Sequence, residues 1–392
     1  GRTKCDIAIK DGRIAAILMP DSTVSAEHRL DATGRVILPG VIDVHLHLGH
    51  GADISRPREP EDADRETASA ALGGITCMIP YLMAAKPFDE IFDDVIQITE
   101  AGSRIDFGYH FIISTEEQLA QVPQYITEYG VPTLKIFMNN RGGEGARLGL
   151  PDIDDGFFYR LAEAAAKHGG MVAPHAENIE VAWVFRDRVM KSDPKGVSCL
   201  HSWDQTRPDF VEGEALQRAA YLANRAGAPL YVVHTTSGAA LDAAIARRKA
   251  GDVIYLETCP HYLTHDVEWG GGAVGKVNPP LRSSGDRERL WQAIFDGDID
   301  TVATDHVHRD ISSKDGGIWK ASPGCPGMET MLPVMLTEGF HKRGLPLERI
   351  VEVLAETPAR LMGMSDRKGS IVPGLDADLV VVDLDSEWDL SR

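Results

Sequence analysis

The chain has 392 residues, of which 43% are hydrophobic and 25% charged. That is enough apolar material for a large core, and it excludes a disordered chain. Forty basic residues against 59 acidic ones leave a net charge of −19, which argues against a nucleic-acid partner or an anionic membrane surface, since both need a basic patch.

No run approaches the ~18 apolar residues of a membrane span. The opening GRTKCDIAIKDGR lacks the apolar stretch of a secretory signal. The five cysteines (Cys5, Cys77, Cys199, Cys259, Cys325) are dispersed and never form C-x-x-C. That is the pattern of reduced thiols in a cytoplasmic protein.

In chain order, residues 1 to 40 alternate like short antiparallel strands, with an Asp-Gly turn in CDIAIKDGRIAAIL and a Thr-Gly turn in HRLDATGRVILPG. Strand-like runs then recur at Val41–His47, Ile75–Leu82, Ile105–Ile113, Thr133–Met138, Met171–His175, Leu230–His234, Val253–Thr258 and Thr301–Thr304. Helix-like segments lie between them: EDADRETASAALGG, DDGFFYRLAEAAAKHGG and SGAALDAAIARRKAG. In the last of these Ser237 caps the start, basic residues crowd the final turn and Gly251 ends it.

Strands alternating with helices point to an α/β fold with a parallel sheet. Eight such strands suit a closed (β/α)8 barrel of the TIM type, with an open doubly wound sheet as the alternative that counting leaves open. The C-terminal KGSIVPGLDADLVVVDLD alternates again. The expected division is therefore a small β-domain built from both termini (residues 1–40 and 366–392) around a barrel of residues 41–365.

One feature organises the chemistry. The first barrel strand ends in Asp43-Val44-His45-Leu46-His47, and residues i and i+2 of a strand share a face, so both imidazoles aim into one space. Alone, H-x-H is weak support for a metal. Later strands add Lys135 inside TLKIFM, His175 at the end of VAPH, His234 at the end of YVVH and Asp305 at the end of VATD. The C-terminal ends of barrel strands are where such folds assemble active sites. A lone histidine there can be a rim residue and Asp305 a helix cap, but a lysine flanked by Leu134, Ile136 and Phe137 is costly to bury unpaired. Together the six read as a metal site.

With these residues in view, the chain resembles the cyclic-amide branch of the amidohydrolase superfamily: hydantoinases, dihydropyrimidinases, allantoinases and dihydroorotases. The resemblance runs through PGVIDVHLHLG, AALGGIT, TLKIFM, PHAEN, VVHTTSGAAL, ETCPHYL, VNPPLR, ATDH, PGCPGMETMLP, TPARLMG and KGSIVPGLDADLVVVD, and so through nearly the whole length. It implies two divalent metal ions, zinc foremost with manganese or cobalt as alternatives, bridged by Lys135 carboxylated on its side-chain nitrogen. His45, His47, Asp305 and the modified Lys135 would hold one ion; His175, His234 and the same Lys135 would hold the other.

By the same resemblance a metal-bridging hydroxide attacks the carbonyl of a cyclic amide, imide or ureide, and Asp305 passes the proton to the departing ring nitrogen. An amide anion leaves poorly, so that proton is needed. Asn278 in VNPPLR resembles the family position that holds the substrate edge; it also reads as a turn residue before Pro279 and Pro280. A homodimer or homotetramer is implied as well.

Three departures bear on substrate. The tyrosine that hydantoinases carry five residues after the bridging lysine is here Asn140, leaving Asn139 or Asn140 as the replacement donor. The dihydroorotase arginine two residues after H-x-H is Gly49. The D-H-x-P run after the last strand becomes ATDHVHRD, with His308 and Arg309 at and beyond the proline's place. Hydantoinase- or dihydropyrimidinase-like hydrolysis is thus the main expectation. The alternatives are an allantoinase or dihydroorotase proper, or a non-catalytic dihydropyrimidinase-related scaffold. GGGAVGKV mimics a phosphate-binding loop but ends in Val277 and follows no apolar strand, so it reads as a plain loop. His261 and Tyr262 face either the site mouth or the structure behind it. Cys259 reads as a packed thiol, and His50 and His308 lie near ligand segments.

Overall fold

The computed structural model describes residues 1–49 and 53–389. The chain opens on a hairpin of β1 (Asp6–Lys10) and β2 (Arg13–Leu18). Its turn residues Asp11 and Gly12 both have positive φ, 51° and 73°, the conformation that an Asp-Gly pair supplies most readily. The Thr-Gly turn also forms, through Arg35 N donating to Ala32 O at 3.0 Å. Only its far side becomes a strand, β3 (Val36–Pro39).

The barrel strands follow: β4 (Val41–His47), β5 (Ile75–Leu82), β6 (Asp106–Phe107), β7 (His110–Ile112), β8 (Thr133–Phe137), β9 (Met171–His175), β10 (Leu230–Val232), β11 (Ile254–Thr258), β12 (Thr301–Val302) and β13 (His306–Val307). All neighbours among them run parallel. The expected third strand is broken: β6 and β7 each pair with β5, with Gly108 and Tyr109 between them. The eighth is interrupted too. Its first piece, β12, bonds to β11, and its second, β13, bonds to β4. One interrupted strand therefore joins the last barrel neighbour to the first, and the ring closes, which sets the open sheet aside.

Alternation along the strands divides the core. Ile42, Val44, Ile79, Tyr81, Ile112, Tyr231 and Val233 form an inner cluster. Leu46, Met78, Phe111, Leu134, Ile136 and Leu256 pack outward with the helices. The helices start and stop where local chemistry says they should. In α1 (Pro60–Leu72) a proline occupies the first turn. In α2 (Asp155–His168) the Asp154 carboxylate accepts from Phe157 N, and Gly169 closes the helix at φ 77°. In α3 (Gly238–Lys249) Ser237 Oγ accepts from Ala240 N, three basic residues fill the last turn, and Ala250 closes the helix just before Gly251 at φ 98°.

The C-terminal strand β14 (Leu379–Val382) returns to pair antiparallel with β3. Ile14 is tied to the same region through Leu375 O (2.9 Å) and Gly374 N (2.8 Å), so the two ends of the chain build one small β-assembly. Among the described residues no helix is long and apolar enough to cross a membrane.

Candidate metal centre

The first strand does more than present two histidines. Val44 and His45 are consecutive, yet Val44 belongs to the inner cluster while His45 joins the ring-end cluster with His47. Consecutive residues of a regular strand face opposite ways. The reconciling feature is a bulge: Asp43 pairs with Met78 but Leu46 pairs with Pro80, one extra residue on β4. A bulge re-aims side chains at the cost of freed backbone groups, and here three of them find side-chain partners. Val44 O accepts from His110 Nε2 (3.1 Å), His45 N donates to Asp43 Oδ1 (3.3 Å), and His45 O accepts from Thr304 Oγ1 (3.2 Å). Asp43 in turn accepts from Thr304 N at 3.0 Å, and its Oδ2, 2.5 Å from Thr304 Oγ1, shares the one hydroxyl proton of Thr304 with His45 O.

His45, His47 and Asp305 bring ligand atoms within 4.8 Å of one another. His45 Nδ1 donates to Glu257 Oε1 at 2.6 Å, which leaves its Nε2 lone pair facing inward, 3.2 Å from both Lys135 Nζ and Asp305 Oδ1. His47 Nε2 lies 3.7 Å from the same Asp305 oxygen. Lys135 is 1% exposed, with its Nζ 4.5 Å from the centre of the Tyr81 ring. A second pair adjoins this group: His175 Nδ1 is 2.8 Å from His234 Nε2, while His175 Nε2 donates to Glu177 Oε2 at 2.7 Å. Glu257 Oε1 also accepts from the backbone N of His234 at 2.9 Å, so one carboxylate holds residues of both groups. The structure thus brings all six residues singled out in the sequence to one end of the barrel. His234 and Asp305 are held there at positive φ, 39° and 47°, the kind of strain that persists where the surroundings fix a site.

Electrostatics suits a cation. Burial first, and then the charge on Lys135, holds His45 well below its ordinary range and His47 down to about 3. Burial likewise pushes His234 well down, so these three imidazoles are neutral. Burial lowers Lys135 against the opposing pull of Asp305 and Glu257, and raises Asp305 against that of Lys135. His47 Nδ1 is buried without a partner. Buried imidazoles and a carboxylate brought this close together are a good donor set for a borderline dication such as zinc.

Other candidates are placed differently. Asn139 Oδ1, Asn140 Nδ2 and Asn278 Oδ1 are buried without hydrogen-bond partners, and none of the three residues bonds to the cluster. Asn140 packs into its own loop, where a Cβ on Gly145 would come within 2.8 Å of its Nδ2. A Cβ on Gly49 would lie 2.2 Å from Asp53 O, so no arginine fits that backbone. Tyr262 is structural, donating to Pro279 O at 2.8 Å, while His261 Nε2 has no partner. Cys259 is a buried thiol pushed well up by its burial. His308 pairs with Glu66 on α1 at 2.9 Å. His50 lies outside the described residues. Sequence reasoning passed over Glu257, Glu177 and Asp43. The available signals were an acid inside the apolar run VIYLET and another two residues after His175.

A sequence model of the amidohydrolase family matches residues 36–391. The chain belongs to the amidohydrolase family. This amidohydrolase is 32% identical to the L-hydantoinase of Paenarthrobacter aurescens, over 98% of its own length and 83% of the relative's. It is 35% identical to the allantoinase of Deinococcus radiodurans, over 100% and 85%. Among solved structures a D-hydantoinase superposes with a TM-score of 0.87 at 30% identity, covering 98% of this chain and 83% of that one. The family is metal-dependent, and the His45–His47–Asp305 cluster sits where such an ion would be held.

Proposed function

We propose that this amidohydrolase opens the carbon–nitrogen amide bond of a cyclic amide, imide or ureide, as hydantoinases do, using two divalent ions, zinc foremost. His45, His47 and Asp305 would hold one, His175 and His234 the other, with a carboxylated Lys135 between them. The observation that carries this is Lys135: a lysine 1% exposed, with Nζ 3.2 Å from the Nε2 of His45. Burial favours its neutral amine, the form that adds to carbon dioxide. An N–C bond forms, one N–H proton leaves, and a costly buried cation becomes an anion with two donor oxygens.

When bound, such a centre supplies an acidified water and polarises a carbonyl. The chain's own groups do the rest. Asp305, raised by burial, is suited to take a proton from the attacking water and return it to the departing ring nitrogen. Glu257 fixes His45 in the tautomer that keeps Nε2 bare. The unpartnered amide atoms of Asn139, Asn140 and Asn278 are candidates for the ring's N–H and C=O edges. Gly49, with no room for a side chain, disfavours a dihydroorotase. The 35% identity to an allantoinase keeps that ureide in view.

The boundaries 1–40, 41–365 and 366–392, a cytoplasmic setting and a homo-oligomer complete the proposal. The pairing of β14 with β3 supports the first and the free cysteines support the second. The test is ring opening of hydantoins, dihydropyrimidines, allantoin and cyclic imides by zinc-reconstituted protein. Turnover abolished by a chelator and restored by metal is expected; no turnover of any of these rings overturns the proposal.

A further inference from the structure

Beside the second histidine pair lies a series of buried charges that the scheme above does not use. Glu177, just past the end of β9, is 1% exposed and Arg207 is 5% exposed. Glu177 divides its carboxylate between two partners. Its Oε2 accepts from His175 Nε2 at 2.7 Å, and its Oε1 forms an ion pair with Arg207 Nε at 3.3 Å.

Arg207 is held in its turn. Its Cζ lies 4.3 Å from the centre of the Trp203 ring, its Nη1 donates to Thr206 Oγ1 at 3.3 Å, and its carbonyl accepts from Arg282 Nη1. Arg282 donates through Nε to Thr236 Oγ1 at 3.0 Å and pairs with Glu212 at 3.3 Å. Glu212 closes the series by accepting from Thr236 N at 2.8 Å, two residues after His234. Buried ion pairs are weak ground for stability, since apolar side chains of the same size can serve as well. What this one supplies is a carboxylate that cannot turn.

The consequence falls on His175. A carboxylate only accepts and a guanidinium only donates. With Arg207 against one oxygen, the other faces His175, whose proton sits on Nε2 and leaves Nδ1 bare, 2.8 Å from His234 Nε2. His45 is the reverse case, with its proton on Nδ1 toward Glu257 and Nε2 bare. Glu257 reaches both histidine groups, through His45 Nδ1 and His234 N, whereas Glu177 reaches the second through His175.

We propose that Glu177, clamped by Arg207, is the positioning residue of the second pair: it fixes the His175 proton on Nε2 and so makes Nδ1 the atom that His175 offers to an ion. This deepens the two-ion reading of the same site and rests on it.

The test is Glu177→Gln, with and without Arg207→Met. A glutamine amide keeps the shape but has one accepting end and one donating end. Arg207 accepts nothing, so it draws the amide oxygen and turns the NH2 toward His175 Nε2, which must then accept. The single variant should therefore move the His175 proton to Nδ1. Long-range 1H–15N NMR of metal-free protein labelled with 15N-histidine reads this, the His175 signals being assigned by their loss in His175→Asn. In the double variant that pull is gone, and the proton should return toward Nε2.

Zinc affinity, by competition with a chromogenic chelator, should follow the proton. In Glu177→Gln one of the two ions should bind about 10- to 100-fold more weakly, with the other unchanged and partial recovery in the double variant. Should Glu177→Gln fail to fold with Arg207 unpaired, two neutral pairs replace it. Glu177→Met with Arg207→Met lacks the acceptor that Glu177→Gln with Arg207→Met retains, and should hold the second ion about tenfold more weakly. A His175 proton that stays on Nε2 in every variant, or both ions weakened alike, overturns the positioning role and leaves the hydrolase reading intact. A proton that follows residue 177 in a chain that binds no second ion upholds the positioning role and overturns the two-ion reading.

Discussion

A histidine offers a metal one nitrogen, and the proton on the other nitrogen decides which. Glu257 makes that choice for His45 by accepting from Nδ1, and it accepts the backbone N–H of His234 with the same oxygen. Glu257→Gln keeps the shape but weakens the acceptor and can present an N–H to His45. It should cost about 10- to 100-fold in metal affinity, read by competition with a chromogenic chelator, while the fold by circular dichroism is retained. Unchanged affinity would remove Glu257 from the account. At Gly49 the constraint is steric, since a Cβ would sit 2.2 Å from Asp53 O. Gly49→Ala should destabilise by about 1–3 kcal/mol, the cost of overpacking, as a lowered melting temperature. A variant as stable as the parent would show that the loop yields freely.

At the scale of the element, the bulge in β4 decides whether the histidine pair faces the ring at all. It is held from a distance by Asp43, His110 and Thr304. Thr304→Val keeps the volume and removes the hydroxyl, leaving the buried Asp43 carboxyl short of a donor at a cost of about 1–3 kcal/mol. Metal retention should fall along with stability, because the bulge carries His45; stability lost with metal binding intact would separate the two.

These long-range ties also mark what the sequence could not reveal. His45, His47, Lys135, His175, His234 and Asp305 were legible because each interrupts or ends an apolar run, so local pattern alone exposes them. The bulge was not, because it exists only in the register of β4 with β5. Glu257 was passed over because its partners His45 and Tyr231 lie on other strands. The first antiparallel strand expected before Thr33-Gly34 does not form, while β3 pairs with β14 from the far end of the chain.

For the molecule as a whole, closure of the ring and joining of the ends are the two global facts. Lys368 works at the second junction: its ammonium meets Asp106 of the barrel and Asp378 beside β14, with Asp376 at 3.5 Å. Lys368→Met would leave three carboxylates facing one another and should lower stability by about 2 kcal/mol, with limited proteolysis releasing the C-terminal strand first. Cleavage unchanged from the parent would show that β14 is held by its ladder alone.

The central claim is a carboxylate-bridged pair of metal ions, and metal content per chain tests it most directly. Elemental analysis of protein reconstituted with zinc and bicarbonate, alongside Lys135→Ala, should give about two ions per chain, with clear loss in the variant and partial recovery when a short-chain carboxylic acid is added to stand in for the missing bridge. A single ion per chain, indifferent to Lys135→Ala, would contradict the bridge, and no bound metal at all would contradict the catalytic account.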